Sequence, residues 1–281
     1  MEFKLIDGGV CAAKGFKASG LYCGIKNNPT KKNDIALLVS DVICNTAGVY
    51  TQNKVKGAPV IVTKRNLEKT GGKAIAVIVN SKNANTCNAD GEEKAEKMCS
   101  MTAEALGIKP CEVVASTGVI GQILPIEPIE KAIPLLKEKL SYEGNEEAAV
   151  AIMTTDTFKK EYAVEFTLGG KVCRMGGMAK GSGMIHPNMA TTLNFITTDA
   201  AISAEMVKKA LSEIVKITYN CLSVDGDQST NDTCMLMANG LSGNDEITSE
   251  GEDFEIFKSA LYEVMSNLTR MLAKDGEGAT K

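Results

Sequence analysis

The chain has 281 residues, a net charge of −4, and 44% hydrophobic against 23% charged residues. That length supports a substantial core, and the acidic balance argues against a nucleic-acid surface. No apolar run approaches the roughly 18 residues of a membrane span, and Met1-Glu2-Phe3-Lys4 does not open a signal peptide, so a cytosolic protein is expected. Nine cysteines are scattered without a C-x-x-C pair, which points to reduced, mostly buried thiols and no thiolate metal site. The single histidine, His186, precedes Pro187 in a glycine-rich stretch and reads as a solvated loop residue. Two-histidine zinc chemistry is thereby excluded, as is any Ser-His-Asp or Cys-His machinery that does not use His186.

In chain order, Gly8 to Phe16 reads as a glycine-punctuated turn between extended pieces, and Lys31-Lys32-Asn33-Asp34 as the turn before a buried strand over Ile35–Ser40. The apolar runs Pro59–Thr63 and Ala74–Asn80 suit strands covered on both faces. Ser81 to Asn88 is either a solvated loop or, through Asn83, Asn85 and Asn88, a ligand contact. Glu92–Leu106 is a helix with Ala95, Met98, Cys99, Thr102 and Leu106 on one stripe, stopped by Gly107. Val113 to Ser116 runs as a strand into the Thr117-Gly118 turn, which presents a hydroxyl and backbone N–H groups suitable for an oxyanion, although such turns are common. A helix follows with Pro128 in its first turn and Ile129, Ile133, Leu136 and Leu140 buried. Met153-Thr154-Thr155-Asp156-Thr157 is either a hydroxyl-bonded β edge or a polar pocket. Val164–Leu168, the Gly169-Gly170 turn and Val172–Met175 form a hairpin.

That hairpin leads into Gly176-Gly177-Met178-Ala179-Lys180-Gly181-Ser182-Gly183-Met184-Ile185-His186-Pro187-Asn188-Met189-Ala190-Thr191, which reads as neither strand nor helix before Leu193. It is not a P-loop, because Lys180 lies between Ala179 and Gly181, and a G-x-G-x-x-G would need glycine at 186; ATP and NAD are both disfavoured. Glycine at this density lets backbone approach a reactive side chain. The expectation is that the Ala190–Thr191 bond cuts itself and leaves Thr191 as an N-terminal nucleophile. Leu193–Asp199 then reads as a strand. Ser203 caps a helix with Val207, Ala210, Leu211, Ile214 and Cys221 inward, and Phe254, Phe257, Leu261, Val264, Leu268 and Met271 mark a last long helix. Asp225, Asp227 and Ser229 imitate an EF-hand, but Thr230 and Leu236 stand where it needs Gly and Glu, so calcium is rejected.

Lys180 to Thr191, together with Ser116–Gly121, Met153–Asp156, Ser223–Asp227 and Asp275–Lys281, resembles in order the motifs of the ornithine acetyltransferase (ArgJ) family of arginine biosynthesis, and the resemblance covers the whole chain. It implies an α/β, two-domain fold of the N-terminal-nucleophile type related to DmpA aminopeptidases. It also implies a precursor cut into an α segment (residues 1–190) and a β segment (from 191) that remain together as α2β2. The implied reaction moves acetyl from N-acetylornithine to glutamate without a cofactor, some members also accepting acetyl-CoA. The implied roles are Thr191 as nucleophile, Thr117 and Gly118 as oxyanion hole, and Thr154, Lys180, Thr191 and Glu277 as substrate contacts. Lys180 would suit an α-carboxylate and Glu277 an ammonium. The family's β segment continues to an Asn and a Thr that complete the pocket, so the chain is expected to lack its C-terminal part; Thr192 stands where the family often has Met. An amidohydrolase or aminopeptidase on the same scaffold, or an inactive fragment, is the competing expectation.

Overall fold

The computed structural model describes residues 3–25, 30–109, 113–187 and 192–279. The expected cleavage site and nucleophile, Ala190 and Thr191, lie outside the described residues. Among those described, the strands are β1 (Lys4–Ile6), β2 (Phe16–Leu21), β3 (Ile35–Tyr50), β4 (Lys73–Asn80), β5 (Val113–Ser116), β6 (Lys160–Leu168), β7 (Lys171–Lys180), β8 (Leu193–Thr198) and β9 (Thr233–Ala238). All belong to one mixed sheet in the order β1-β6-β7-β8-β9-β3-β4-β5, with β2 also paired to β3. The β8–β9 and β4–β5 pairs are parallel and the others antiparallel. Strands that follow residue 191 are thus inserted between strands that precede it, and the two segments share one backbone ladder.

The helices are α1 (Ala58–Lys69), α2 (Gly91–Leu106), α3 (Ile126–Glu138), α4 (Asn145–Ala151), α5 (Ala204–Ile214) and α6 (Glu252–Lys274). Helices α5 and α6 bury Val207, Leu211, Phe254, Phe257, Leu261 and Leu268 against Val164, Phe166, Ile196 and Leu236 of the sheet. Helices α1, α2 and α3 bury Val62, Met98, Ile129 and Ile133 against Leu37, Ile78 and Val114. Ser203 accepts the Met206 N–H and caps α5, and Gly107 ends α2 in the left-handed conformation, both as the sequence predicts.

Several expectations are corrected. Pro59–Thr63 is the start of α1, not a strand. Proline lacks the N–H that a central strand needs but fits a first helical turn, and Val60, Val62, Thr63 and Leu67 form the buried face while Ile61 stays exposed. The stretch Gly176–Lys180 is not loop but the second half of β7. Pairing with β6 on one side and β8 on the other overrides its weak strand propensity. The strand from Ile35 runs on to Tyr50 through a register shift between Val39 and Cys44. Leu140 falls outside α3, and α5 ends at Ile214, so Cys221 is exposed on a following turn. Cys87 is exposed as well; Cys11, Cys44, Cys99, Cys173 and Cys234 are buried, and none of the described cysteines forms a disulfide.

Phe257 is fully buried in the core under α6. Phe257→Ala is therefore expected to lower the unfolding free energy by about 3–5 kcal/mol, read as a shift of the urea midpoint at unchanged slope.

Candidate active site

Lys180 at the end of β7 pairs with Leu193 at the start of β8, and Leu193 pairs with Thr233 at the start of β9. Loops following β4, β5, α4 and α6 arrive at the same place. Together they line a cavity of about 480 Å³ that holds Thr117, Gly118, Thr154, Lys180 and Glu277. The structure thus brings together every described residue of the predicted site. Lys82, Asp225 and Asn231 also line the cavity, and the sequence reading assigned none of them a role.

The Thr117-Gly118 turn is fixed from below. The Thr117 N–H donates to the Asn80 carbonyl at 3.0 Å, and the Val119 N–H to the Lys82 carbonyl at 3.2 Å. Gly118 has φ 133°, and a Cβ there would lie 2.2 Å from the Lys82 carbonyl carbon, so only glycine fits. Among the described residues the Gly118 N–H meets no acceptor. Lys180, fully buried, donates from Nζ to Thr117 Oγ1 at 3.2 Å. A lysine ammonium has no lone pair, so Thr117 accepts from it and keeps its own O–H as a donor. Thr117 and Gly118 both line the cavity, so one hydroxyl and one backbone N–H belong to its wall.

Two further groups hold the substrate-side loops. Asp156 accepts the Thr154 N–H at 3.0 Å, the Gly181 N–H at 2.7 Å and the Lys160 ammonium at 2.7 Å. Lys160 also reaches Asp275 at 2.6 Å, and Asp275 accepts the Thr157 N–H and hydroxyl. Burial by itself would raise the Asp156 carboxyl. The Lys180 and Lys160 charges and the Gly181 N–H overcome that and hold it below its ordinary 3.8. Asp275 is held low in the same way, its desolvation outweighed by Lys160 and Thr157. Desolvation pushes the Lys180 amine down, Asp156 opposing. Two residues beyond Asp275, the Glu277 N–H donates to the Ser182 carbonyl at 2.7 Å, which sets its carboxylate against Gly183; a Cβ at 183 would come within 2.7 Å of it.

Met153–Thr157 is therefore a loop at the cavity and not a β edge, since its hydroxyls and amides meet Asp275, Asp156 and Ser182 instead of a neighbouring strand. Asn83, Asn85 and Asn88 spend their side-chain amides on the carbonyls of Gln122 and Gly91, which is a structural role. Asp225 accepts the N–H groups of Met184 and Ile185 and so ties down the loop after β7. Asn231 donates to the carbonyls of Ala84 and Ser116 and accepts the hydroxyls of Thr86 and Thr230, which joins the Thr117-Gly118 turn to the approach to β9. His186 is exposed, as the sequence predicts. No sequence signal points to Lys160, Asn231 or Asp232: Lys160 follows Lys159 and looks like surface charge, and the other two sit in the stretch that imitates a calcium loop.

The sequence pattern of the ArgJ family matches residues 17–281. The chain belongs to the ArgJ family. A relative from Symbiobacterium thermophilum, the arginine biosynthesis bifunctional protein ArgJ, is 49% identical over 278 residues, covering 98% of this chain and 69% of that protein. The crystal structure of ornithine acetyltransferase complexed with ornithine from Mycobacterium tuberculosis aligns at 32% identity with a TM-score of 0.60, over 68% of this chain and 100% of that one. The L-aminopeptidase D-Ala-esterase/amidase from Ochrobactrum anthropi, described as a variant of the Ntn-hydrolase fold, aligns over 96% of this chain and 86% of that one at 10% identity and a TM-score of 0.58, a likeness of fold alone. The α/β architecture of N-terminal-nucleophile type is thus the one expected. No described helix is long and apolar enough to cross a membrane.

Lys160→Met would remove the cation that bridges two buried carboxylates, and a loss of about 3–5 kcal/mol in unfolding free energy is expected at neutral pH. Asp156 and Asp275 titrate below 3.8 when folded, so their ion pairing contributes fully above that value and is lost as pH falls through the depressed range. Thermal melts from pH 6 to pH 2.5 should show an acid-side decline in the parent that is much flatter in Lys160→Met.

Proposed function

We propose that this protein is a self-processing acetyltransferase that moves an acetyl group from N-acetylornithine to glutamate through an acetyl ester on Thr191. The observation that carries the reading is the convergence of Thr117, Gly118, Thr154, Lys180 and Glu277 on one cavity beside the start of β8, two residues after Thr191 in the chain. Membership of the ArgJ family and the ornithine bound to the M. tuberculosis relative support the choice of substrate.

In the precursor, the Thr191 hydroxyl attacks the Ala190 carbonyl, and the amide C–N bond breaks as an ester forms, which frees the Thr191 α-amine. Water then hydrolyses the ester, which releases residues up to 190 with a new carboxylate and restores the Thr191 hydroxyl. A free terminal amine titrates near ~7.7–8.0, which suits a base at neutral pH in a site without histidine. It takes the Thr191 hydroxyl proton as the oxygen attacks the acetyl carbonyl of N-acetylornithine, and returns it to the departing ornithine amine. Glutamate's amine then attacks the acetyl ester, and N-acetylglutamate leaves. The Thr117 hydroxyl and Gly118 N–H would bind the oxyanion in each tetrahedral step, each such donor being worth roughly 10²–10³ in rate. Lys180 would meet an α-carboxylate, Glu277 the ornithine ammonium, and Thr154 would complete the contacts. No cofactor is required. Acetyl-CoA is a further candidate donor, and the two segments would assemble as α2β2 in the cytoplasm.

The likeness to an amidase scaffold favours one competing reading, in which water replaces glutamate as acceptor. Incubation with N-acetylornithine and glutamate separates them: N-acetylglutamate is expected, and acetate alone would mean a hydrolase. Thr191→Ala is expected to remain a single chain by intact mass and to lose transfer. Two chains from that variant would refute the nucleophile.

A further inference from the structure

Asp232, fully buried just before β9, has no part in the reading above. Its Oδ1 accepts the Thr192 N–H at 2.8 Å, and the Thr233 N–H donates to the Thr192 carbonyl at 3.1 Å. The residue after Thr191 is therefore gripped at both of its backbone polar groups. Its other oxygen, Oδ2, is buried and meets no hydrogen-bond partner among the described residues. Native proteins usually meet such an atom with a protein group, a water or an ion. The grip is also local in the sense that matters: the N–H that Asp232 holds belongs to the peptide bond joining Thr191 to Thr192.

We propose that Asp232 is a positioning residue for the nucleophile, fixing the Thr192 peptide through Oδ1 and offering Oδ2 to the Thr191 α-amine freed by cleavage. The proposal rests on the cleavage put forward above. When the amine takes the Thr191 hydroxyl proton, the resulting ammonium donates to Oδ2 until the proton passes to the departing amine of the acetyl donor. Charge is thus balanced within the site at the step where it is generated. The electrostatics agree. Burial pushes the Asp232 carboxyl up to about 8, against the Thr192 N–H, the charge of Lys180 and the Ser229 hydroxyl, so a nearby cation would complete its environment. Lys180, at the end of β7, is the charged group that faces it, and Lys180 itself donates to Thr117. On β8 and on the approach to β9 the groups that face Asp232 are the Thr192 N–H and the Ser229 hydroxyl.

The test uses the full chain made by cell-free synthesis, with cleavage followed by intact mass and folding by circular dichroism. Asp232→Ala is expected to slow cleavage at least tenfold. Asp232→Asn, which keeps an acceptor for the Thr192 N–H, is expected to cleave at an intermediate rate. In its cleaved form the Thr191 α-amine, titrated by competitive labelling, should have a pKa about one unit lower than in the parent, because an anion beside an amine raises its pKa. A structural role alone would not move that titration. Folded Asp232→Ala cleaving at the parent rate overturns the proposal. If that variant does not fold, Asp232→Asn decides, and parent-like cleavage with an unshifted amine overturns it. A parent that stays uncleaved overturns the cleavage reading and this inference with it, whereas a cleaved parent with indifferent variants overturns this inference alone.

Discussion

Strands β7 and β8 are paired from Met175–Thr198 out to Lys180–Leu193, and everything else at the site depends on that ladder. It holds the two ends of the segment 181–192 at adjacent positions on the same edge of the sheet. The bond between residues 190 and 191 lies in the sequence between those two paired ends. Cutting it would leave each side anchored, β7 through β6 and β8 through β9, with one core shared by side chains from both segments. The fold thus permits a break in the backbone where most proteins would lose a structural element.

The charges follow the same logic. Lys160, Lys180, Asp156 and Asp232 are buried within a few residues of strand ends, and Asp275 is buried at the C-terminal end of α6. Burying ions is unfavourable unless each is met by hydrogen bonds or an opposite charge, and well-packed apolar groups would often do as well for stability. What the ions supply here is geometry. Asp156 and Asp275, joined by Lys160, place the Thr154 loop and the Glu277 segment at fixed positions, and Lys180 donates to the Thr117 hydroxyl. The two carboxyls beside Lys160 are held low, whereas burial pushes that of Asp232 up to about 8. That contrast separates a structural brace from a group still waiting for a charge.

Periodicity and end signals made most elements legible: α2 with its Gly107 stop, α5 with its Ser203 cap, and the apolar stripe of α6. They failed where a local pattern was too short to choose between helix and strand, as at Pro59–Thr63, and where tertiary pairing outweighed composition, as at Gly176–Lys180. Strand β9 and the short α4 drew no signal, because Thr233–Ala238 and Asn145–Ala151 resemble ordinary buried and polar runs. At the site, Thr117, Gly118, Thr154, Lys180 and Glu277 were legible through motif order. Lys160, Asn231 and Asp232 were not, because their roles arise from contacts across long sequence separations: Lys160 to Asp275, Asn231 to Ala84 and Asp232 to Thr192. No spacing rule encodes such contacts.

The central claim is that Thr191 carries the acetyl group. It is tested most directly by mixing the processed protein with N-acetylornithine in the absence of glutamate, quenching in acid and sequencing the peptides by mass spectrometry. The account predicts one added acetyl group on the peptide that begins at Thr191, as an ester removed when glutamate is supplied before the quench. An unmodified Thr191 peptide alongside released ornithine, or an acetyl group on another residue that glutamate discharges, would contradict it.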